Sequence, residues 1–236
     1  MTVGLVLVSH SAKIAEGVVD LATQMASGVA LRAAGGTDDG GIGTSFDKVM
    51  LAVGEADSGD GVVVLCDLGS AILTAETALD FLDDDLTARV RIADAPLVEG
   101  AVAAAVAAEI GGDLATVLAA AEQAGGAPDA AADEAPATGA STSTGTASAE
   151  EPAAIAGEAT LINPSGLHAR PAAEFVKLAS TFDASITVNG VDAKSLLRIM
   201  SLGVGIGATV RVEASGTQAR EAVDALTALL ASGFGE

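Results

Sequence analysis

The chain holds two histidines in 236 residues, and the sequence around each reads as a strand running into a helix. They lie in Val8-Ser9-His10-Ser11 near the start and in Gly166-Leu167-His168-Ala169-Arg170-Pro171 near the end. A helix start offers unpaired backbone N–H groups and the positive end of the helix dipole, both of which suit a phosphoryl group. A neutral imidazole attacks phosphorus without first losing a proton. The pair therefore reads as two candidate sites of histidine phosphorylation.

The first constellation joins Ser9-His10-Ser11 to Asp67-Leu68-Gly69-Ser70-Ala71. A carboxylate holds one imidazole nitrogen protonated and leaves the lone pair of the other free, and Asp67 is the candidate for that role. Gly69 and Ser70 open the next helix, so their amides and the Ser70 hydroxyl can receive phosphate oxygens. A histidine capping a turn and an aspartate capping a helix would give the same local spacing, so both readings stay open here. At the second site Pro171 belongs in a first helical turn, which sets His168 at or just before the helix start. Arg170, always charged, can meet two oxygens of an arriving phosphoryl group. A capping histidine is the weaker alternative.

The elements that must hold these residues fall into two groups. In the first, apolar runs at 3–9, 29–33, 61–66 and 89–93 alternate with helical spacing at 14–25, 46–53, 71–82 and 97–110. Strands apolar on both faces between amphipathic helices indicate a mostly parallel sheet covered on both sides, an α/β domain. In such folds functional groups gather at the carboxyl ends of the strands, which places His10 and Asp67 on one rim. The second group reads as strands at 159–162, 185–188 and 209–214, with helices at 172–182, 195–201 and 219–230. Strands without regular helical crossovers indicate an α+β domain, an antiparallel sheet with helices on one face. Between them, residues 127–157 turn to Ala, Thr, Ser, Gly and Pro with scattered acids, a composition that reads as a flexible linker. The expected organisation is thus 1–126, linker 127–157, and 158–236.

Bulk properties exclude several functions. The formal charge is −21, of which −14 falls on residues 1–126, −5 on the linker and −2 on the remainder. With 11 basic residues the chain lacks the clustered Lys and Arg that a nucleic acid or an anionic membrane surface requires. No apolar run is long enough for a membrane span, and no basic segment precedes the first strand to mark a signal peptide, so a cytoplasmic location is expected. Cys66 stands alone in an apolar run, which reads as a buried thiol and rules out a cysteine metal cluster. No metal and no cofactor is expected.

Other motifs read as structural. The glycine-rich loop 34–44 lacks the Gly-Lys-Ser/Thr ending of a P-loop, although its position after the second strand brings Thr37 near the rim as a candidate phosphate contact. Residues 203–207 carry three glycines but lead into a strand, so they read as a turn. The alanine run at 101–108 reads as close helix packing.

Taken together these motifs carry a resemblance. Residues 1 to about 124 resemble the phosphotransferase subunits of phosphoenolpyruvate-dependent dihydroxyacetone kinases, whose first domain is related to mannose-type EIIA domains. The likeness rests on Val6-Leu-Val-Ser-His10-Ser, Gln24-Met25, Ala33-Ala-Gly-Gly-Thr37-Asp-Asp, Ile42-Gly-Thr44, Asp67-Leu-Gly-Ser-Ala71, Ala75-Glu-Thr-Ala-Leu79 and Ala95-Pro-Leu-Val-Glu-Gly100. Residues 158–236 are similar to the phosphocarrier HPr at Gly166-Leu-His168-Ala-Arg-Pro171-Ala, Lys194-Ser195 and Met200-Ser-Leu-Gly-Val204.

The resemblance implies a relay in which phosphate passes from phosphoenolpyruvate through enzyme I to His168, assisted by Arg170. From there it goes to His10, paired with Asp67, and on to ADP held by a partner kinase subunit, with a dihydroxyacetone-binding subunit as final user. It also implies that free HPr is a possible donor to His10, that the chain is a homodimer, and that Ser195 sits where some phosphocarriers are regulated. Read from its residues, Ser195 is a helix cap. Some members continue into an enzyme I-like segment; ending at Glu236, this chain is expected to take its phosphate from a separate protein. The linker would let His168 serve His10 within one chain, and Leu167, Leu196 and Met200 are expected to form an open docking surface around His168. A sugar-transport EIIA component and a phosphorylation-state sensor are the alternative readings.

Overall fold

A computed structural model of the chain describes residues 2–125, 154–164 and 166–235. In the first domain, β1 (Gly4–Ser9), β2 (Leu31–Gly35), β3 (Val62–Cys66) and β4 (Val90–Ile92) form one parallel sheet in the order β2-β1-β3-β4. The central strands β1 and β3 are apolar up to Ser9 and Cys66 because both faces are covered, whereas the edge strands β2 and β4 carry Arg32 and Arg91. Leu5 and Leu7 of β1 and Val63 and Leu65 of β3 point to the layer of α1 (Ala12–Thr23), α5 (Leu97–Glu109) and α6 (Leu114–Gln123). Val6 and Val8, with Val62, Val64 and Cys66, point to the layer of α2 (Phe46–Ala56) and α3 (Gly69–Leu79). A short α4 (Asp84–Thr87) leads into β4. Winding runs outward from β1 to β2 and then reverses to β3, so a crevice opens where the carboxyl ends of β1 and β3 diverge.

The alanine run of α5 packs closely, as its sequence indicates: residues 101–108 are all buried, with Ala101, Ala104, Ala105, Ala107 and Ala108 in the core shared with α1 and α6. Gly100 sets the distance, since a Cβ there would stand 2.9 Å from Leu65 Cδ2 and 3.3 Å from the Ala121 carbonyl. Two helices escape the periodicity reading. In α6 only Val117 and Ala121 are buried, among alanines that give the apolar face little contrast, although Asp113 caps it by accepting from the Thr116 amide at 2.8 Å. In α4 no residue is buried at all.

The second domain is built on an antiparallel sheet in the order β5-β8-β6-β7, from β5 (Ile155–Thr160), β6 (Ser185–Val188), β7 (Val191–Asp192) and β8 (Thr209–Ser215). On β8 Val210, Val212 and Ala214 point into the core and Arg211 and Glu213 away from it. That alternation marks a sheet covered on one face. The cover is α7 (Ala169–Ser180) and α9 (Ala219–Ser232), with a short α8 (Leu196–Ser201) packed on α7. Strand β5 begins inside the segment expected to be linker and ends two residues earlier than the expected 159–162 strand. Its signal is weak for a packing reason: a Cβ at Gly157 would come within 2.6 Å of Val223 Cγ1, so the inward position there holds no apolar side chain. Most of the expected linker, residues 127–153, lies outside the described residues.

Gly100→Val forces α5 off Leu65 and α6 and is expected to lower the unfolding free energy by about 1–3 kcal/mol. A denaturant titration with an unchanged midpoint would show that this helix seat is not close-packed.

Candidate functional site

His10 leaves the end of β1, and Asp67 leaves the end of the adjacent β3, whose amide at Asp67 still donates to the Val8 carbonyl at 3.1 Å. This neighbouring of strand ends, rather than any local motif, brings the two together. The carboxylate accepts three hydrogen bonds: Ser9 Oγ to Oδ2 at 2.8 Å, the His10 amide to Oδ2 at 2.9 Å, and His10 Nδ1 to Oδ1 at 2.9 Å. Burial acts to raise the Asp67 carboxyl. The bonds from the His10 ring, the His10 amide and Ser9 outweigh burial and hold it below its ordinary value.

Because an ionised carboxylate only accepts, Nδ1 carries the ring proton in the neutral imidazole and Nε2 carries the lone pair. Ser70 Oγ lies 2.8 Å from Nε2, so its hydroxyl donates there. Gly69 and Ser70 are the first two residues of α3, whose opening amides are those left unpaired by helix geometry. The His10 side chain is 22 % exposed and that of Asp67 16 %, which leaves an edge of the ring open while its partner is mostly shielded. Next to the carboxylate, burial pushes the Cys66 thiol up to about 12, with the Asp67 charge adding to it.

The glycine-rich loop reaches this rim, and its hydrogen bond to the site is made by Gly43. Thr37 Oγ1 turns to Asp39 Oδ1 at 2.5 Å, whereas the Gly43 amide bonds the His10 carbonyl at 2.9 Å. Lys48 Nζ fixes the loop by donating to the Gly35 and Thr37 carbonyls at 3.0 and 2.8 Å, and Thr44 bonds Thr74 of α3. Lys48 was legible only as a rare cation in an acidic domain. Gly35 allows β2 to lie against the start of α1, because a Cβ there would meet Ala12 Cα and the Ser11 carbonyl at 2.7 Å. Sequence reading also missed a ring of exposed apolar side chains on the same elements: Ile14, Ile42, Leu68 and Leu73 are each at least half exposed.

At the second site His168 is the N-cap of α7 in extended conformation, and its carbonyl accepts from the Ala172 amide at 2.9 Å. Buried Asn163 fixes the approach by donating from Nδ2 to the Gly166 carbonyl at 2.7 Å, and Leu167 N bonds the Val204 carbonyl at 2.9 Å. Gly166 adopts φ +68°, and a Cβ there would fall 2.2 Å from the Val204 carbonyl. Nε2 of the His168 ring is buried. Arg170 stands one residue beyond the helix start with its side chain 69 % exposed and only a loose approach to Glu174 at 3.9 Å. Ser195 occupies the N-cap position of α8 but makes no side-chain capping bond; its carbonyl, accepting from Ile199 N at 3.1 Å, does that work. The expected open surface of Leu167, Leu196 and Met200 is corrected: Leu167 and Leu196 are buried in the core, and Met200 is half-buried.

A carboxylate-held histidine at the switch point of a parallel sheet, followed by a histidine that opens a helix over an antiparallel one, falls within two stretches that each match a phosphotransferase-system domain family. Residues 4–118 match the family described as PTS system fructose IIA component, and residues 155–232 match PTS HPr component phosphorylation site. The chain is 36 % identical over 99 % of its length to the phosphoryl donor subunit DhaM of the PEP-dependent dihydroxyacetone kinase of Providencia stuartii, covering 50 % of that protein. It is 39 % identical over 99 % of its length to the Escherichia coli K12 subunit of that name, covering 51 % of it. It therefore spans about half the length of these two relatives. A DhaM subunit of Listeria innocua is 43 % identical over 104 residues, with 44 % of this chain and 83 % of that protein covered. The chain belongs to the DhaM family.

Two outcomes follow from this geometry. The native-state depression of the Asp67 carboxyl means that its contribution to stability is complete above the ordinary carboxylate range and is lost as pH falls through the depressed value. The stability gap between wild type and Asp67→Asn, read by denaturant titration across pH, is expected to close on acidification; a gap independent of pH contradicts the assignment. Gly166→Ala adds both strain at positive φ and a clash, and is expected to cost about 2 kcal/mol or more. Its amide resonances should shift around His168 and leave those around His10 in place.

Proposed function

We propose that the chain is a phosphohistidine relay of a phosphoenolpyruvate-dependent dihydroxyacetone kinase system. The observation that carries this reading is the line Asp67–His10–Ser70, in which one ring nitrogen is committed to a carboxylate and the other offers its lone pair beside a hydroxyl. The names of the relatives and the HPr match support it.

Enzyme I, carrying phosphate from phosphoenolpyruvate, is the donor to the second domain. Its phosphorus–nitrogen bond breaks as a nitrogen of His168 bonds to phosphorus. Since Nε2 of His168 is buried, Nδ1 is the atom that takes the group. Arg170, exposed at the helix start, meets the new oxygens and balances their charge. The phosphoryl group then passes to Nε2 of His10, where Ser70 turns its hydroxyl from the ring to a phosphoryl oxygen. The Gly69 and Ser70 amides and the rim loop containing Thr37 complete the cradle. Phosphoryl transfer depends mainly on positioning and charge stabilisation, so a shallow rim suffices once a partner covers it.

From His10 the group leaves to the terminal oxygen of ADP on a partner kinase subunit, and the ATP formed serves dihydroxyacetone phosphorylation. Ile14, Ile42, Leu68 and Leu73 form the apolar ring on which such a partner sits. No cofactor enters, because the phosphate travels covalently on the two imidazoles. Free HPr can replace the second domain as donor, and we assign the chain to a cytoplasmic homodimer.

Reconstitution with phosphoenolpyruvate, enzyme I and the kinase subunits tests the relay. His10→Ala is expected to abolish dihydroxyacetone phosphate formation, and Asp67→Asn to slow it by roughly 100-fold or more through loss of the correct ring tautomer. Phosphorus and nitrogen NMR should place the group on Nε2 of His10 and on Nδ1 of His168. A His10→Ala protein that sustains full flux is incompatible with the proposal.

A further inference from the structure

The two domains touch, and they touch on the wrong side for transfer. Met25, Val102 and Val106 of the first domain belong to the apolar cluster of the second, and α5 packs against α8. Lys177 at the end of α7 reaches Glu109 Oε1 at 3.2 Å, and the other oxygen of Glu109 accepts from the Gly28 amide at 2.9 Å. Glu109 is thus held by its own domain and presented to the other. The Glu109 side chain is 19 % exposed and that of Lys177 35 %, so the carboxylate is the more covered partner.

Topology places this contact far from His10. Helix α1 starts just after His10 and runs back along β1, so Met25 lies at the opposite end of the sheet. Helix α5 likewise starts at the carboxyl ends of the strands and ends at Glu109. A 12-residue helix spans about 18 Å, so the dock and His10 stand roughly that far apart along the sheet. The second domain contributes α8 and the last turns of α7, the helix that His168 opens. Helix α8 packs on α7, the helix that His168 opens, so its contact with α5 takes one flank of the His168 end away from an approaching partner while Arg170 stays exposed.

We infer that the end of the first domain formed by α1 and α5 is a resting dock for the α8 flank of the second domain, narrowing the access of enzyme I to His168 until the two part. The inference rests on the relay reading for its consequence but not for its geometry. Docked, the chain neither faces a donor fully nor brings His168 to His10; undocked, it does both in turn. Partial occupancy of the open form reduces the apparent rate of donor binding in proportion.

Carbodiimide joins a carboxylate and an ammonium directly and leaves an amide, so it tests the dock in the intact chain. An intrachain Glu109–Lys177 peptide is expected by mass spectrometry in the monomeric fraction. It should be lost in Glu109→Lys and regained in Glu109→Lys/Lys177→Glu. The Glu109→Lys protein, checked for an unchanged first-domain fold by amide exchange, is expected to accept phosphate from enzyme I several-fold faster at His168, up to roughly tenfold if the open form is about a tenth of the population. Absence of the cross-link, its appearance only between two chains, or an unchanged rate overturns the resting dock. Failure of the relay reading is separately visible, as a chain that cross-links at Glu109 but never takes phosphate on His168.

Discussion

One carboxylate organises the first domain's working edge. Asp67 gathers a hydroxyl, a backbone amide and an imidazole N–H from two consecutive residues, Ser9 and His10, at the neighbouring strand end, and it does so while mostly shielded from water. Buried charge is costly unless satisfied, and three donors satisfy it. The cost and its compensation together fix the orientation of the ring. With Nδ1 committed, the second nitrogen has one direction in which to act, and α3 begins in that direction. Removing the parallel pairing of β1 with β3 would leave each of these residues an ordinary polar loop group.

The two histidines reach comparable positions by different means. His10 is held from the side by a residue 57 positions away, so its geometry depends on the whole sheet. His168 is held from below by its own loop, in which Asn163, Gly166 and Leu167 hydrogen-bond locally and to Val204. Each loop includes or abuts a glycine that no larger residue can replace without displacing backbone: Gly35 against Ser11, and Gly166 against Val204. The first site is thereby a product of long-range topology and the second of a short motif.

This difference explains what the sequence made legible. The Gly166-to-Pro171 motif places His168 on a helix start by proline geometry alone, and the structure puts its N-cap there. Alternation of continuous apolar runs with helical spacing gives the parallel sheet, and hence the shared rim of His10 and Asp67, though not the three bonds between them. The direction of the Thr37 hydroxyl, which bonds Asp39, is not legible because a loop's position can be read from the order of strands while its side-chain directions cannot; Gly43 and Lys48 make the contacts that seat the loop. The burial of Leu167 and Leu196 was hidden for a similar reason. An apolar residue beside a functional one reads equally as core or as docking surface, and only packing distinguishes them. The contact between the domains left no trace in periodicity, since Val102 and Val106 sit in an alanine run that is apolar on every side.

Cys66 ends β3 beside the carboxylate, and burial together with that negative neighbour keeps its thiol protonated far above neutrality. A thiol both buried and held protonated reacts slowly with maleimides. A cysteine engineered onto its surface outpaces the native residue, so fluorophores or spin labels can be directed to either half with Cys66 left in place.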